Sequence, residues 1–430
     1  MTTPTPTPTR WARDHTHTIT TLLGTALAAA GLLLGRPHLV ALATPLLLTV
    51  VWSTWNRPAR PTVAGTTASD TAVRTDELAT TLTVTAPAGA PLVHVRTATP
   101  GARRTDTLLA VHGTRHIPVS VPSVRTGTRE LFTTDLVTST TDGAWHHGPQ
   151  RLDPDHVLVL PRTTPLEQTP VSTRLRGLTG PHTSRRLGDG TELRDIAPLL
   201  PGDPVRRVDW RVTARRSPTL DTLYARRNQA PAEASVVLVI DSRDDVGPEI
   251  STWGAYRDTR PDRQTSLDIA REAAATIART VLAGGDRVGL DDLGRLHTPV
   301  PLAAGTRHLH RIHHALALAR PHGAPRTRTR PPQVPTGALV YVFSTFLDDT
   351  APQAALHWAA GGHQVIAVDT LPVEDTWGLS TREHHAWRLT AIQRHDRLHT
   401  LRAAGLAVVR WTDPSTAQDL HAGTRERHHA

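Results

Sequence analysis

The sequence predicts a multi-domain α/β protein. An N-terminal transmembrane helical hairpin is followed by a β-sandwich domain, and a doubly wound α/β sheet forms the C-terminal half. Three observations predict this organisation. Two apolar stretches of membrane-spanning length open the chain, short Val- and Thr-rich runs broken by Pro and Gly follow, and strand-like and helix-like segments then alternate. At 430 residues the chain is too long for one ordinary core, so several domains are expected.

The composition excludes several kinds of chemistry. The chain has no cysteine and no lysine, and its 48 arginines against 39 acidic residues give a formal net charge of +9. Disulfides, thiolate catalysis and a lysine-dependent Walker A phosphate loop are therefore excluded. The use of arginine without lysine is typical of an actinobacterial-type composition from a GC-rich genome, and the arginines are spread along the chain among acidic residues. Without a dense basic tract, the charge favours a surface near a lipid bilayer and predicts no nucleic acid partner.

The first 56 residues predict a membrane anchor. A Thr-Pro repeat makes residues 1–18 a disordered N-terminus, and residues 19–56 form the transmembrane hairpin around the turn Arg36-Pro37-His38. Arginines flank both outer ends, so the positive-inside bias predicts a two-helix cell-membrane protein whose bulk is cytoplasmic. Two alternatives stay open: a signal peptide followed by a stop-transfer anchor, and helices buried in a soluble core.

The middle of the chain predicts antiparallel β-structure. In residues 62–162, short β-prone runs recur about every 10 to 25 residues with turn chemistry between them, which is typical of a β-sandwich. Residues 163–230 are interpreted as a linker and signature segment. A C-terminal tail is expected over residues 416–430.

Residues 231–415 predict the α/β domain. Residues 235–240 form a continuous apolar, β-branched run, as expected of a central parallel strand. Thr265 predicts a helix N-cap, with Asp268 completing a capping box and Gly284 ending the helix. Further helices are predicted at residues 308–318, 351–360 and 387–403, and strands at 287–290, 338–344, 364–368 and 407–411.

One segment carries a family resemblance. Residues 188–196 read Gly-Asp-Gly-Thr-Glu-Leu-Arg-Asp-Ile, and residues 201–215 read Pro-Gly-Asp-Pro-Val-Arg-Arg-Val-Asp-Trp-Arg-Val-Thr-Ala-Arg. This strongly resembles the signature of the bacterial domain of unknown function 58 family, except that Leu200 stands where the family has an aromatic residue. The matching residues are Gly188, Gly190, Glu192, Arg194, Gly202, Asp203, Arg207, Asp209, Trp210, Thr213, Ala214 and Arg215.

The resemblance implies a fold, a partner and a role. It implies that the α/β domain is von Willebrand factor A-like (Rossmann-like) and that a MoxR-type AAA+ ATPase is the partner. The implied role is a membrane-anchored binding or scaffold protein in chaperone-like assembly or envelope maintenance. No catalytic residue is predicted, and we expect the protein not to be an enzyme.

The signature residues have two interpretations. An arginine–carboxylate network of Arg194, Arg207, Arg211 and Arg215 with three aspartates would pin the segment to the α/β domain, with Trp210 in the core. In the other interpretation they dock a partner. The docking set is Gly202, Asp203, Arg207, Asp209, Trp210 and Arg215.

The resemblance also implies a Mg²⁺ site, formed by Asp-x-Ser-x-Ser after the first strand. The corresponding residues here are Asp241-Ser242-Arg243-Asp244-Asp245, and the candidate ligands are Asp241, Asp245, Thr306 and Asp348. A guanidinium group cannot bind a cation. We therefore predict a degenerate site in which Arg243 takes the cation's place and pairs with Asp241.

Two other functions stay open. One is a membrane-bound, metal-dependent hydrolase centred on Asp241, Asp245 and Asp348, and the other is an extracytoplasmic binding protein with inverted topology. His310 and His314 lie four residues apart on a predicted helix, but no accompanying carboxylate motif supports a metal site there. We interpret them as part of a solvated face.

Overall fold

The computed structural model describes residues 11–56, 58, 64–67, 72–73, 77–98, 104–152, 156–166, 182–253, 262–295, 299–321 and 331–413. The chain divides into two compact units. The first comprises Met1–Val124, Thr128–Val157 and Arg260–Asp262, and the second comprises Arg125–Gly127, Leu158–Thr259 and Arg263–Ala430. Residues 1–10 of the predicted disordered N-terminus, residues 167–181 of the predicted linker and the predicted tail at 416–430 lie outside the described residues.

Two apolar helices begin the first unit. α1 (His15–Leu33) is capped by Asp14, whose side chain accepts a hydrogen bond from the Thr16 amide. α2 (Pro37–Trp55) starts on a proline, whose fixed φ suits the first turn of a helix. Gly35, at φ +65°, makes the turn between them.

Small residues let these two helices approach closely. A Cβ added to Gly31 would lie 2.7 Å from a methyl carbon of Val40, and one added to Gly24 would lie 3.0 Å from Leu47. Each helix has 19 residues and is apolar enough to cross a bilayer, yet only 17% of the first span and 11% of the second is buried. That exposure disfavours helices buried in a soluble core and agrees with a membrane anchor.

Antiparallel strands make up the rest of the first unit and the adjoining segment. They are β1 (Ala12–Arg13), β2 (Ala64–Thr67), β3 (Ala72–Val73), β4 (Glu77–Thr85), β5 (Leu92–Ala98), β6 (Thr105–Ala110), β7 (Thr114–Pro122), β8 (Gly127–Glu130), β9 (Thr133–Ser139), β10 (Trp145–Leu152) and β11 (His156–Val159). One sheet has the order β1-β10-β9-β5-β6, a second joins β2, β3 and β7 to β4, and β8 pairs with β11.

The two larger sheets share one apolar core. Burial alternates along β4, so Leu82 and Val84 point inward and pack with Val93, Val95 and Leu136 of the other sheet. This is the antiparallel arrangement that the spacing of the β-prone runs predicts.

The second unit contains the remaining elements. They are β12 (His182–Pro198), α3 (Trp210–Arg216), β13 (Tyr224–Ala232), β14 (Ser235–Ile240), α4 (Ser266–Ala283), β15 (Arg287–Asp292), β16 (Val300–Ala303), α5 (Thr306–Leu318), β17 (Leu339–Ser344), α6 (Thr350–Ala360), β18 (Gln364–Asp369), α7 (Thr381–Ala403) and β19 (Ala407–Arg410), with 3₁₀ turns at Val205–Arg207 and Ile250–Thr252.

A six-stranded sheet forms the core of this unit, with the order β16-β15-β14-β17-β18-β19. All neighbouring strands pair in parallel except β16, which is antiparallel to β15. β14 is a central strand that is apolar on both faces: Val236, Leu238 and Ile240 pack in one core cluster, and Val237 and Val239 in another. Residues of α4 and α5 belong to the first cluster and residues of α6 and α7 to the second, so helices cover both faces.

The helix α4 begins and ends at the predicted caps. Thr265 and Asp268 form the predicted capping box, and Gly284 is the C-cap. Most of the helix is buried, including Ile269 and Ile277 of the predicted apolar stripe. The predictions for this helix are confirmed.

β12 and β13 form a two-stranded antiparallel ribbon, which precedes the six-stranded sheet in the sequence. The sequence analysis predicted no strands in this region. Residues 199–223 connect the two strands of the ribbon. They hold most of the signature.

Candidate functional site

The candidate site lies where the central strand ends. Asp241 follows β14 directly, and its amide donates to the carbonyl of Phe343 in the neighbouring strand β17 at 2.9 Å. Its carboxylate accepts a hydrogen bond from the Ser344 hydroxyl at 2.9 Å. Because parallel strands end at the same edge of a sheet, Asp241 and the loop after β17 meet at this carboxyl edge.

Arg243 joins two carboxylates at this edge. Its Nε and Nη2 donate to the two oxygens of Asp241 at 2.9 and 2.8 Å. The same guanidinium donates to both oxygens of Asp348, from Nη2 at 2.8 Å and from Nη1, and to the Thr350 hydroxyl at 2.8 Å. These contacts are the double bidentate geometry that favours arginine over lysine. The predicted pairing of Arg243 with Asp241 is present.

Burial and ion pairing shift the pKa values of Arg243 and Asp348 in this cluster. The Arg243 side chain is 7% exposed and that of Asp241 1%, whereas that of Asp348 is 55% exposed. Burial disfavours the charged guanidinium, but its hydrogen bonds to Asp348 and Asp241 outweigh that cost and hold the pKa of Arg243 above its usual value. For Asp348, burial is likewise outweighed by the bonds from Arg243, and its pKa is lowered.

Asp244 next to the cluster titrates differently. Burial, and then the nearby charge of Asp241, raise its pKa to about 7, although the Thr345 hydroxyl donates to it at 3.0 Å. It is therefore a carboxyl group that changes charge near neutral pH.

The structure brings together only part of the predicted metal set. Asp241 and Asp348 meet through Arg243, but Asp245 is engaged by another arginine, Arg125, at 3.1 Å. Among the described residues, no group of three or more His, Asp or Glu side chains is arranged to hold a metal ion. The donor set of Asp241 and Asp348 is committed to a guanidinium and in this arrangement does not fit a cation.

The prediction that Thr306 joins this site is wrong. β16 runs antiparallel to β15, with Ala303 opposite Val288, and so carries the chain back to the amino edge of the sheet before α5 begins. His308, one turn into α5, bonds the Val288 carbonyl at 2.7 Å, which places the start of α5 beside the beginning of β15. His310 and His314 are exposed, as expected of a solvated face.

A second buried charge cluster was missed by the sequence analysis. Asp268 is fully buried and accepts from Arg125, from the amide of Thr126 at 2.8 Å and from Arg271 at 3.1 Å. Arg125 and Asp268 are 143 positions apart. The capping-box pattern predicted that Asp268 lies at the start of α4. No pattern in the neighbouring sequence predicted that Arg125 would pair with it.

The signature residues build a compact turn structure. Gly202 has φ +97°, and Asp203 accepts from the Leu200 amide at 3.0 Å, as in a turn. Asp209 caps α3, accepting from the Val212 amide at 3.1 Å.

The structure departs from the first of the two interpretations of the signature. Trp210, expected in the core, is 60% exposed, because the buried positions of α3 repeat every four residues at Asp209, Thr213 and Ser217. The expected arginine network is present only in part: the Nε of Arg194 lies 3.8 Å from a carboxylate oxygen of Asp195. Asp209 pairs with Arg226 of β13 at 2.7 Å, outside the set of arginines that the sequence analysis named, while Arg215 is exposed.

Comparison with known proteins agrees with the resemblance. Residues 195–376 match the sequence profile described as "Protein of unknown function DUF58". The chain is similar to Uncharacterized protein Mb1516 of Mycobacterium bovis and to Uncharacterized proteins MT1527 and Rv1480 of Mycobacterium tuberculosis. Each is 30% identical over 208 residues, covering 46% of this chain and 60% of the relative. No solved structure matches significantly. Over residues 195–376, which hold the Arg243 cluster and most of the signature, this chain therefore carries a domain of the DUF58 family.

Proposed function

We propose that this protein is a membrane-anchored binding or scaffold protein that acts with a MoxR-type AAA+ ATPase, and that it is not itself an enzyme. The observation that carries the proposal is Arg243, whose guanidinium joins Asp241 and Asp348 at the carboxyl edge of the sheet. Chaperone-like assembly or envelope maintenance is the role that fits such a pair of proteins.

The sheet supports a von Willebrand factor A-like interpretation. The first strand of the sheet in sequence order, β14, is a central strand, and Asp241 follows it directly. The strand that runs antiparallel, β16, lies at an edge of the sheet. Open α/β sheets bind their ligands at the carboxyl edge of the strands. On a von Willebrand A-like, doubly wound sheet, this edge is where a partner protein docks.

The chemistry of the cluster favours docking over catalysis. A paired guanidinium stays charged at physiological pH, so it neither accepts a proton nor generates a nucleophile. Arg243 supplies internally the positive charge that a metal ion supplies in related sites. The half-exposed carboxylate of Asp348 is then the part of the cluster open to a partner.

Copurification tests the proposal. We expect the tagged full-length chain, extracted in detergent, to retain a MoxR-type ATPase in both the presence and the absence of EDTA, because no metal bridges the contact. Arg243→Ala should lose the ATPase. Arg287→Ala is the matched control, since Arg287 also pairs with a carboxylate but lies at the amino edge of the same sheet.

Three outcomes would count against the proposal. Recovery of no ATPase under either condition overturns the partnership, and loss of the ATPase in EDTA overturns the metal-free contact. Equal retention by both arginine variants removes the carboxyl edge as the docking surface.

The orientation of the anchor is a separate part of the proposal. The arginines that flank the outer ends of the hairpin support an orientation with the bulk of the chain in the cytoplasm. A reporter fused to the C-terminus should be active in its cytoplasmic form. Activity of a periplasmic or extracellular reporter would establish the inverted topology instead.

A further inference from the structure

The segment that connects β12 to β13 is held together by polar contacts. This ribbon tip (residues 199–223) is closed by a hydrogen bond from the Leu199 amide to the Leu223 carbonyl at 2.7 Å. Tyr224 donates its amide to the Thr213 hydroxyl at 2.9 Å. The buried side chains of α3 are Asp209, Thr213 and Ser217, with Asp209 as its cap. These polar contacts stabilise the ribbon tip together with one buried apolar side chain, Val208.

Four of the large apolar side chains of the ribbon tip are exposed. Leu200 is 56% exposed, Val205 66%, Trp210 60% and Leu220 56%. Leu220 also holds φ at +59°, a left-handed conformation that is uncommon for a bulky residue. Four exposed large apolar residues in one segment make the ribbon tip a candidate interaction surface.

The charge around them is positive. Arg206, Arg211, Arg215 and Arg216 are exposed on the same segment. Its three aspartates are engaged within the protein, because Asp203 accepts from the Leu200 amide, Asp209 pairs with Arg226 and Asp221 accepts from the Thr219 hydroxyl. The ribbon tip thus presents apolar side chains among arginines.

We propose that the ribbon tip docks on an anionic phospholipid surface. Trp210 and the aliphatic side chains would enter the interfacial layer, and the arginines would bind lipid phosphates. Charge complementarity supports lipid as the occupant. The two helices of membrane-spanning length also keep a bilayer at high effective concentration. This contact goes beyond the ATPase-associated role and does not depend on it.

A spin label on the full-length chain tests the proposal. The native sequence has no cysteine, so Val205→Cys provides a single labelling site. Val373→Cys is the matched control, since Val373 is 69% exposed and belongs to the same unit but is followed by Glu374 and Asp375. The labelled chain is reconstituted into vesicles of phosphatidylcholine alone or mixed equally with phosphatidylglycerol. Collision of the nitroxide with oxygen and with a nickel chelate then reports lipid or water around it.

We expect the ratio of oxygen to nickel accessibility at position 205 to rise several-fold only on the anionic vesicles. The rise should disappear at high salt, because the screening length falls from about 10 Å at 0.1 M to about 3 Å at 1 M. The combined change Arg206→Gln, Arg211→Gln and Arg215→Gln should reduce the docked population on the order of a hundredfold at low salt. Position 373 should not respond.

Two results would overturn the proposal. In one, position 205 stays in water on both kinds of vesicle, which would make an acidic protein the better occupant of the ribbon tip. In the other, position 205 responds equally on neutral and anionic vesicles, so that lipid charge plays no part.

Discussion

The carboxyl edge of the sheet and the ribbon tip use the same side chain in opposite ways. At the edge, Arg243 is 7% exposed and its guanidinium lies between two carboxylates. On the ribbon tip, Arg211 and Arg215 are exposed, with Trp210 beside them in the sequence. In a chain whose basic residues are all arginine, burial and the nearby carboxylates decide what each arginine does.

The difference has an energetic cause. Removing a guanidinium from water costs several kcal/mol unless carboxylates compensate it, so a buried arginine requires its partners. Once formed, such a cluster is fixed, because losing one partner leaves an uncompensated charge. An exposed arginine has no such requirement and remains available for an outside anion.

Asp268→Ala should show the largest effect. It removes the carboxylate that two buried arginines, Arg125 and Arg271, share and also breaks the capping box of α4. We expect a loss of about 3–5 kcal/mol in the free energy of unfolding, measured by urea denaturation of the detergent-solubilised chain. Asp221→Ala, an exposed carboxylate on the ribbon tip, is the control and should change stability by less than about 0.5 kcal/mol. Similar values for both variants would remove the distinction between the two kinds of site.

Arg243→Ser should come next and is the sharpest test of the carboxyl edge. Without the guanidinium, Asp241 and Asp348 repel each other, and we expect a loss of about 3 kcal/mol. The serine also restores a hydroxyl oxygen that suits Mg²⁺. Mg²⁺ at a hundred times its dissociation constant should then recover about 2.7 kcal/mol, measured as a shift in the unfolding midpoint.

Two controls define the Mg²⁺ response. The native chain should gain no stability from Mg²⁺, and the double variant Asp241→Ala, Arg243→Ser should lose the gain. An Arg243→Ser variant that ignores Mg²⁺ would show that the guanidinium does not take a cation's place.

Asp244→Asn should have the smallest effect, and one that depends on pH. The pKa of Asp244 is raised from 3.8 to about 7 in the folded chain, so the unfolded chain loses this proton first as pH rises. The contribution of Asp244 to stability is therefore full below pH 4 and falls as pH rises to 7. Asparagine does not titrate and keeps the contact with Thr345. We expect the variant to be about 2 kcal/mol more stable than the native chain at pH 8.

Unfolding curves at pH 4 and pH 8 check this result. The two proteins should be about equally stable at pH 4. A variant with the same pH dependence as the native chain would assign the titration to another group.

Prediction from the sequence worked where the signal is local. The run at residues 235–240 predicts a central strand because only a strand covered on both faces is apolar at every position. Thr265 and Asp268 predict the start of α4 because a capping box is complete within four residues. The Arg243–Asp241 pair belongs to the same class, since the two residues are two positions apart in a known sequence pattern.

Prediction failed where the answer depends on distant parts of the chain. Thr306 was placed at the wrong edge because the sequence analysis predicted no strand at residues 300–303, where the antiparallel β16 carries the chain back to the amino edge. In one interpretation Trp210 was placed in the core on residue type alone, whereas it lies outside the one buried row of a two-turn helix. The partner of Asp209 was missed because Arg226 reaches it across the ribbon from β13.

The sequence by itself determined the central strand β14, the capped helix α4, the two helices of membrane-spanning length and the absence of lysine and cysteine chemistry, because periodicity, caps and composition are local properties. Only the tertiary structure decided which charges meet. Arg243 and Asp348 are 105 positions apart, and Arg125 and Asp268 are 143 apart. A guanidinium acquires its role from the carboxylates that folding brings within hydrogen-bond distance, and their identity depends on strand order and direction.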